Sequence, residues 1–108
     1  MGLASEHDKL RDRIAQEYFK LPPLSCLFCH STTSLPTANV ARVVTEGSHR
    51  HFRADVAALD PLGRFVAVVE VVNTNPPSKQ VLAAQSELEA AFYVTMDALD
   101  DGFSGYCS

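Results

Sequence analysis

Two acidic residues interrupt segments of this sequence that are otherwise apolar. Glu70 lies within FVAVVEVV, and Asp55 lies within RADVAAL. Burying an unpaired carboxylate costs several kcal/mol, so each acid needs compensation. Solvent at a strand end, structural hydrogen bonds or a shared metal ion would each supply it. A divalent cation such as Mg²⁺ or Mn²⁺ would compensate both acids at once, because hard cations prefer oxygen ligands.

Whether the two acids meet depends on the turn between their strands. The segment 60–64, DPLGR, has the composition of a turn and predicts a β-hairpin. If Asp60 pairs with Phe65 across a four-residue turn, Asp55 lies directly opposite Glu70. A three-residue turn puts the two acids on opposite faces of the sheet, unless a β-bulge restores the register.

A short basic segment precedes Asp55 in a chain whose formal net charge is −4. That overall charge gives no sign of nucleic-acid binding. Locally, however, His49, His51 and Arg53 alternate along the chain with Asp55 and share its face if the strand extends that far. Basic side chains on that face would suit contacts with phosphates. A solvated strand edge is the alternative. The predicted nucleic-acid-binding residues are His49, Arg50, His51 and Arg53.

The sequence Cys26-Leu27-Phe28-Cys29-His30 has three interpretations. As a zinc knuckle, Cys26 and Cys29 supply two thiolates, Cys107 a third, and His30 or a residue beyond Ser108 the fourth ligand. As ordinary cysteines, they have no special role. As a C-x-x-C-H haem-attachment site or a redox pair, they require an export signal or a strand–helix setting that the sequence does not display.

The periodicity of the chain predicts how these residues are positioned. Helical spacing begins at Ser5 and is ended by Pro22 and Pro23, and Ser78 is a candidate cap for a second helix. We expect one α/β domain, 1–108, with the order αβββαβ and a mixed four-stranded sheet flanked by helices. A Cys-containing knuckle, 24–39, is inserted after the first helix, and a tail, 99–108, returns Cys107 to it. The predicted elements are helices 5–21 and 78–91 and strands 40–45, 52–59, 65–72 and 93–98.

Composition restricts the class of protein. Apolar residues make up 46% of the 108 positions and charged residues 20%, as in ordinary globular domains. No apolar run reaches the length of a membrane span, so no membrane partner is expected. Three cysteines, an odd number, argue against a disulfide framework. With the charged segment at the start, they favour a cytoplasmic location.

The element order and the segment RADVAALDPLGRFVAVVEVVNT resemble the PD-(D/E)XK restriction-endonuclease-like superfamily, in particular its small competence-protein-like members. The resemblance covers most of residues 5–98. It implies a fold of the restriction-endonuclease type in which Asp55 and Glu70 hold Mg²⁺ or Mn²⁺. It also implies a hydrolase acting on nucleic-acid phosphodiesters through metal-activated water.

The chain departs from that family at one important position. The family places a lysine two residues after the second acid, where this sequence has Val72. Lys79 is the candidate replacement, and Glu17 on the first helix, or less favourably Glu46, is the candidate third acid. We therefore expect a Mg²⁺-dependent nuclease-like domain, active or degenerate. The alternative is a non-catalytic nucleic-acid-binding or protein-interaction module with a structural zinc site.

Overall fold

The computed structural model describes residues 5–72 and 78–107, except for the side chain of Cys107. Within these ranges it contains two α-helices, one short 3₁₀ turn and one seven-stranded sheet. In chain order the elements are α1 (Glu6–Glu17), the 3₁₀ turn (Tyr18–Lys20), β1 (Leu24–Cys26), β2 (Thr32–Thr33), β3 (Arg42–Ser48), β4 (Arg53–Leu59), β5 (Phe65–Val71), α2 (Lys79–Gln85), β6 (Ala90–Val94) and β7 (Ser104–Cys107).

Helix α1 begins where the sequence predicts. The Ser5 hydroxyl accepts a hydrogen bond from the Asp8 backbone N–H (3.1 Å), which satisfies a donor that has no partner inside the helix. Leu10 and Ile14, four residues apart, form its buried stripe. Tyr18 then donates its hydroxyl hydrogen to the Pro36 carbonyl (2.8 Å), which fixes the end of the helix to the loop before β3.

The strands form one mixed sheet in the order β2-β1-β7-β6-β5-β4-β3. The β1–β7 and β5–β6 pairs are parallel, and the other neighbours are antiparallel. Helix α2 lies between β5 and β6 in the chain, as expected for a parallel connection. The prediction of an α/β domain with a mixed sheet and two helices is therefore confirmed.

Each helix covers its own face of the sheet. One apolar cluster packs α1 against Val56, Val69 and Phe92. The other packs Val81 and the rest of the α2 face against residues of the same strands that point the other way, including Ala57, Val68 and Tyr93. Because both faces are covered, the central strands are apolar almost throughout.

The predicted four-stranded sheet is wrong in size. The four predicted strands correspond to β3, β4, β5 and β6, which are contiguous, but β7, β1 and β2 extend the sheet beyond β6. Strands of two to four residues are too short to produce a recognisable apolar alternation. Segment 24–39 therefore contributes two strands of the sheet, and the structure does not confirm it as an inserted knuckle.

The second helix is also shorter than predicted, and the last predicted strand is shifted. Helix α2 ends at Gln85 rather than near residue 91, and β6 covers Ala90–Val94 rather than 93–98. The Glu89 backbone N–H donates to Val66 O (3.1 Å), which starts the pairing with β5. Ala91 and Phe92 are buried as residues of β6, and they would be buried equally on the apolar face of a helix. Apolar spacing alone therefore did not distinguish a helix from a strand here.

Candidate metal and nucleic-acid site

The β4–β5 hairpin uses the three-residue turn that the sequence left open. Asp60 and Arg64 pair through Asp60 N–H and Arg64 O (2.9 Å), and Gly63 between them adopts a left-handed conformation (φ 83°). The register then shifts between Ala58 and Leu59, so Val66 is an extra residue, a β-bulge. Beyond the bulge, the register is the one that a four-residue turn would give, with Ala58 paired with Ala67 and Val56 with Val69.

As a result, Asp55 lies opposite Glu70. The ladder ends with the pair of Val56 and Val69, and Asp55 and Glu70 are the next residues outward. There the carboxylates replace backbone partners: Asp55 N–H donates to Glu70 Oε1 (2.8 Å), and Val71 N–H donates to Asp55 Oδ2 (2.8 Å). Both half-buried acids therefore occupy the point where the two strands stop pairing.

Asp55 also contacts helix α1. His7 Nε2 lies 3.3 Å from Asp55 Oδ2, and His7 Nδ1 lies 3.3 Å from Asp8 Oδ1. Partial burial lowers the pKa of His7, but its hydrogen bonds to Asp8 and Asp55 and the charge of Asp55 outweigh that effect, so the pKa is raised overall. A protonated His7 thus compensates part of the charge of Asp55.

Glu70 contacts the opposite layer of the protein. Burial raises its pKa to about 7, and the nearby charges of Asp55 and Glu46 add to the rise. Hydrogen bonding from the Asp55 backbone and from the Gln85 side chain opposes it. Glu70 therefore exchanges its proton near neutral pH, as general acids and bases of enzymes do.

Gln85 and Tyr93 belong to this site, and sequence reasoning missed both. Gln85 is fully buried on α2, and its Oε1 accepts a hydrogen bond from the Tyr93 hydroxyl (2.7 Å). Its Nε2 atom is buried beside Glu70 without a well-aligned hydrogen-bond acceptor among the described residues. The available signal was its position, four residues after Val81 and three before Leu88, on the apolar face of the helix.

The third acid near the pair is Glu46. The β3–β4 pairs on either side, Thr45 with Val56 and Gly47 with Ala54, put Glu46 opposite Asp55. Glu46 has a left-handed backbone (φ 53°) and forms ion pairs with Arg11 (2.6 Å) and Arg53 (3.0 Å).

Glu17, the other predicted third acid, lies at the far end of α1. It forms an exposed ion pair with Arg13 (2.9 Å). Ten residues separate it from His7, about 15 Å along a helix. The structure therefore brings Glu46, and not Glu17, next to Asp55 and Glu70.

The family lysine has no direct equivalent in the site. Val72 is half-buried and packs in the apolar cluster under α2. Lys79 is the first residue of α2 and is exposed. It precedes Gln85 by six residues, so the two lie about 120° apart around the helix axis. Lys79 is thus near the start of the helix that holds Gln85, but on another of its faces.

The predicted basic residues lie in segment 49–53, the basic turn, which joins β3 to β4 and ends at Arg53, the first residue of β4. His49 is half-buried and stacks on Phe52, with ring centroids 4.4 Å apart. Arg50, His51 and Arg53 are exposed. A groove of about 420 Å³ separates His51 from the α2 residues Gln80, Ala83 and Ala84. Because β4 begins and β5 ends at this side of the sheet, the basic turn and the acids share one edge of the molecule.

The cysteines lie at the opposite side of the sheet. Cys26 ends β1, and Cys29 belongs to the turn that leads to β2. Cys29 N–H donates to Cys26 Sγ (3.4 Å), and His30 follows with a left-handed backbone (φ 62°). Strand β7 pairs with β1, so the backbone of Cys107 lies beside this turn.

Among the side chains that the structure describes, no three from His, Cys, Asp or Glu form a group able to hold a metal ion. This includes the set Cys26, Cys29 and His30; the Cys107 side chain lies outside the described part. Asp55 contacts His7 of α1, and Glu70 contacts Gln85 of α2. An ion shared by the two carboxylates would need water and phosphate oxygens to complete its coordination shell.

No protein-family model matches the chain, and neither a curated protein nor a solved structure matches it. In addition, none of the helices in the described ranges is long and apolar enough to cross a membrane.

Proposed function

We propose that this chain is a nuclease-like domain of the PD-(D/E)XK type that uses Mg²⁺ or Mn²⁺ and acts on nucleic-acid phosphodiesters. The single observation that carries the proposal is the pair Asp55 and Glu70, opposite each other where the β4–β5 ladder opens. Two carboxylates at one opening suit a hard divalent ion, because its charge would relieve the repulsion by which Asp55 helps to raise the pKa of Glu70. The odd number of cysteines favours the cytoplasm as its location.

The role of the bound ion would be to lower the pKa of a water molecule and to neutralise charge on the phosphate. Asp55 and Glu70 are the residues that would hold it. Glu70, once ionised, would accept a proton from the attacking water. The water oxygen would form the bond to phosphorus as the bond to the leaving oxygen breaks, and the leaving oxygen would take its proton from His7 or from solvent water. His7 keeps Asp55 in place, and its own proton is available at the edge of the site.

The basic turn would position the substrate. Arg50 and His51 are exposed beside the groove that faces α2, and Arg53 lies two residues before Asp55. Cations in this position suit phosphate contacts, which fix the register of a nucleic acid without reading its sequence. Lys79 is our candidate for the additional positive charge that Val72 does not supply.

Cleavage of labelled DNA and RNA oligonucleotides, single- and double-stranded, tests the activity. We expect Mg²⁺-dependent cleavage by the wild type and none by Asp55→Asn, which keeps the shape and removes the charge. Lys79→Ala should reduce the rate by about 10²-fold, the scale for losing one preorganised charge. Asp101→Asn and Lys20→Ala, both at exposed positions outside the site, are the controls. Cleavage by Asp55→Asn at the wild-type rate would refute the proposal.

A second candidate is a non-cutting module that binds nucleic acid through the same turn. Val72 at the lysine position and the His7 contact that already compensates Asp55 favour it. In that case the wild type binds nucleic acid without cutting, and its affinity falls as salt rises. Arg50→Ala should weaken binding to all sequences, whereas Arg42→Ala, at the other end of β3, should not. Absence of binding at low salt would exclude both candidates.

A further inference from the structure

We propose that Cys26, Cys29 and Cys107 bind one Zn²⁺ ion through their thiolates and that this ion ties the β1–β2 hairpin to β7. The proposal does not depend on Asp55, Glu70 or the nuclease-like function, because these acids lie in the other half of the sheet. Binding forms three Zn–S bonds and releases the three thiol protons to solvent, with no change of oxidation state.

The turn between β1 and β2 brings the backbone of Cys29 back to the Cys26 side chain. The Cys26 carbonyl accepts from His30 N–H (3.0 Å), and Cys26 N–H donates to Ser31 O (2.9 Å). These bonds fold the chain back so that Cys29 N–H donates to Cys26 Sγ (3.4 Å). A hydrogen bond to sulfur favours the thiolate, which is the form that binds metal ions.

The backbone of His30 supports a specific role for this turn. Its left-handed conformation (φ 62°) costs a residue with a side chain about 1–2 kcal/mol. Strain of this kind persists where the surrounding structure requires it, often at ligand sites. Here it allows the chain to leave Cys29 and return at once to β2.

The register of β7 supplies the third ligand position. Gly105 pairs with Cys26, and Leu27 N–H donates to Gly105 O (2.7 Å), so β7 runs alongside the turn. Position 107 is two residues beyond Gly105 and therefore shares its face, at about 6.6 Å along the strand. Paired residues of neighbouring strands also share a face, so position 107 is on the same face as Cys26.

This part of the protein has few other sources of stability. Strand β2 has two residues, both exposed, and β1 has three. At the tip of the turn, Leu27 and Phe28 are 49% and 84% exposed. A structural zinc ion contributes folding free energy directly, which would compensate for the small buried apolar area.

The test is the metal content of the full chain purified under reducing conditions. We expect about one zinc per chain in the wild type and in Ser25→Ala, a control at an exposed position of β1. Cys26→Ser, Cys29→Ser and Cys107→Ser should each lose most of it. With Co²⁺ in place of Zn²⁺, thiolate-to-metal absorption should weaken in each cysteine variant. Full zinc occupancy in Cys107→Ser would overturn the proposal.

A second measurement covers variants that fail to fold. In the wild type, a strong chelator should lower the melting temperature, and added Zn²⁺ should restore it, because the ion binds the folded state. Little zinc in the wild type would contradict the proposal. So would a mass lower by two hydrogens, the signature of a disulfide, or a melting temperature that the chelator does not change.

Discussion

Strands β3 to β6 form one half of the sheet, and β7, β1 and β2 form the other. The first half has strands of five to seven residues, packed between α1 and α2. The second has strands of two to four residues, with exposed apolar side chains at its turn. Burial of apolar area stabilises the first half, whereas backbone pairing and, as we propose, a metal ion stabilise the second.

The two halves also carry different chemistry. In the first, the acids occur where apolar strands stop pairing, so burial changes the pKa of Glu70. In the second, Cys26 and Cys29 lie at a turn, where Cys29 N–H donates to Cys26 Sγ. Apolar packing therefore changes the pKa of Glu70, while local backbone geometry determines the contact between these two cysteines. Variants in each half should consequently fail in different ways.

The largest expected effect is on the contact between the halves, at Gly105. A Cβ atom there would lie 2.5 Å from Tyr93 O and 2.9 Å from Val94 Cα, so β7 would have to move away from β6. We expect Gly105→Ala to destabilise the fold by about 3 kcal/mol in urea unfolding. Hydrogen exchange should show loss of protection in β1 and β7 first.

Gly63→Ala is the matched control for this variant. Unlike Gly105, Gly63 has a positive φ (83°), and nothing lies within 4 Å of a Cβ added to it. Its cost should be only that of the left-handed backbone, about 1–2 kcal/mol. Equal destabilisation by the two substitutions would mean that close packing of β7 on β6 is not important.

The next effect is the pH dependence of stability due to Glu70. The pKa is 4.5 when the chain is unfolded and about 7 when folded, so the folded state holds more protons between these values. Stability therefore falls as pH rises through this window and is level above it. Glu70→Gln removes this loss and should be more stable than the wild type by about 2 kcal/mol at pH 8.

Urea unfolding between about pH 4 and pH 9 measures this difference. His7 also has a raised pKa, so its contribution to stability is present below 6.5 and is lost above that value. His7 is present in both the wild type and Glu70→Gln, so its contribution cancels when one stability profile is subtracted from the other. Exposed Glu87→Gln should keep the wild-type profile. If Glu70→Gln keeps it as well, burial does not raise the pKa of Glu70.

The smallest expected effect is at Tyr93. Its hydroxyl group is the described partner of the buried Gln85 amide oxygen, and Tyr93→Phe leaves that oxygen unsatisfied. We expect a loss of about 1 kcal/mol in the free energy of unfolding. Tyr106 pairs with Tyr93 on the adjacent strand but is exposed, so Tyr106→Phe should change stability by less than about 0.5 kcal/mol.

The sequence predicted β4 and β5 well because their apolar signals are long and repeated. Apolar runs located β4 and β5, Ser5 and Ser78 marked helix starts, and Asp55 and Glu70 stood out as charges in those runs. Asp55 lies opposite Glu70 only because of the β-bulge at Val66. The sequence was compatible with this bulge but did not predict it.

Three features could not be predicted, each for a physical reason. Strands as short as β2 give no periodic signal. Gln85 is the last residue of α2. From the sequence alone, a polar residue on the apolar face of a helix can mark either a buried site residue or the place where the helix ends. The contact between His7 and Asp55 joins positions far apart in the chain, and only the packing of α1 on the sheet brings them together.

The central claim, that Asp55 and Glu70 together bind a divalent ion, is tested most directly by calorimetric titration of the full chain with Mn²⁺ and Mg²⁺ at about pH 8. We predict one ion per chain, released protons at lower pH as Glu70 ionises, and no binding by Asp55→Asn. Asp101→Asn should bind as the wild type does. Binding that is absent from the wild type, or unchanged in Asp55→Asn, would contradict the claim.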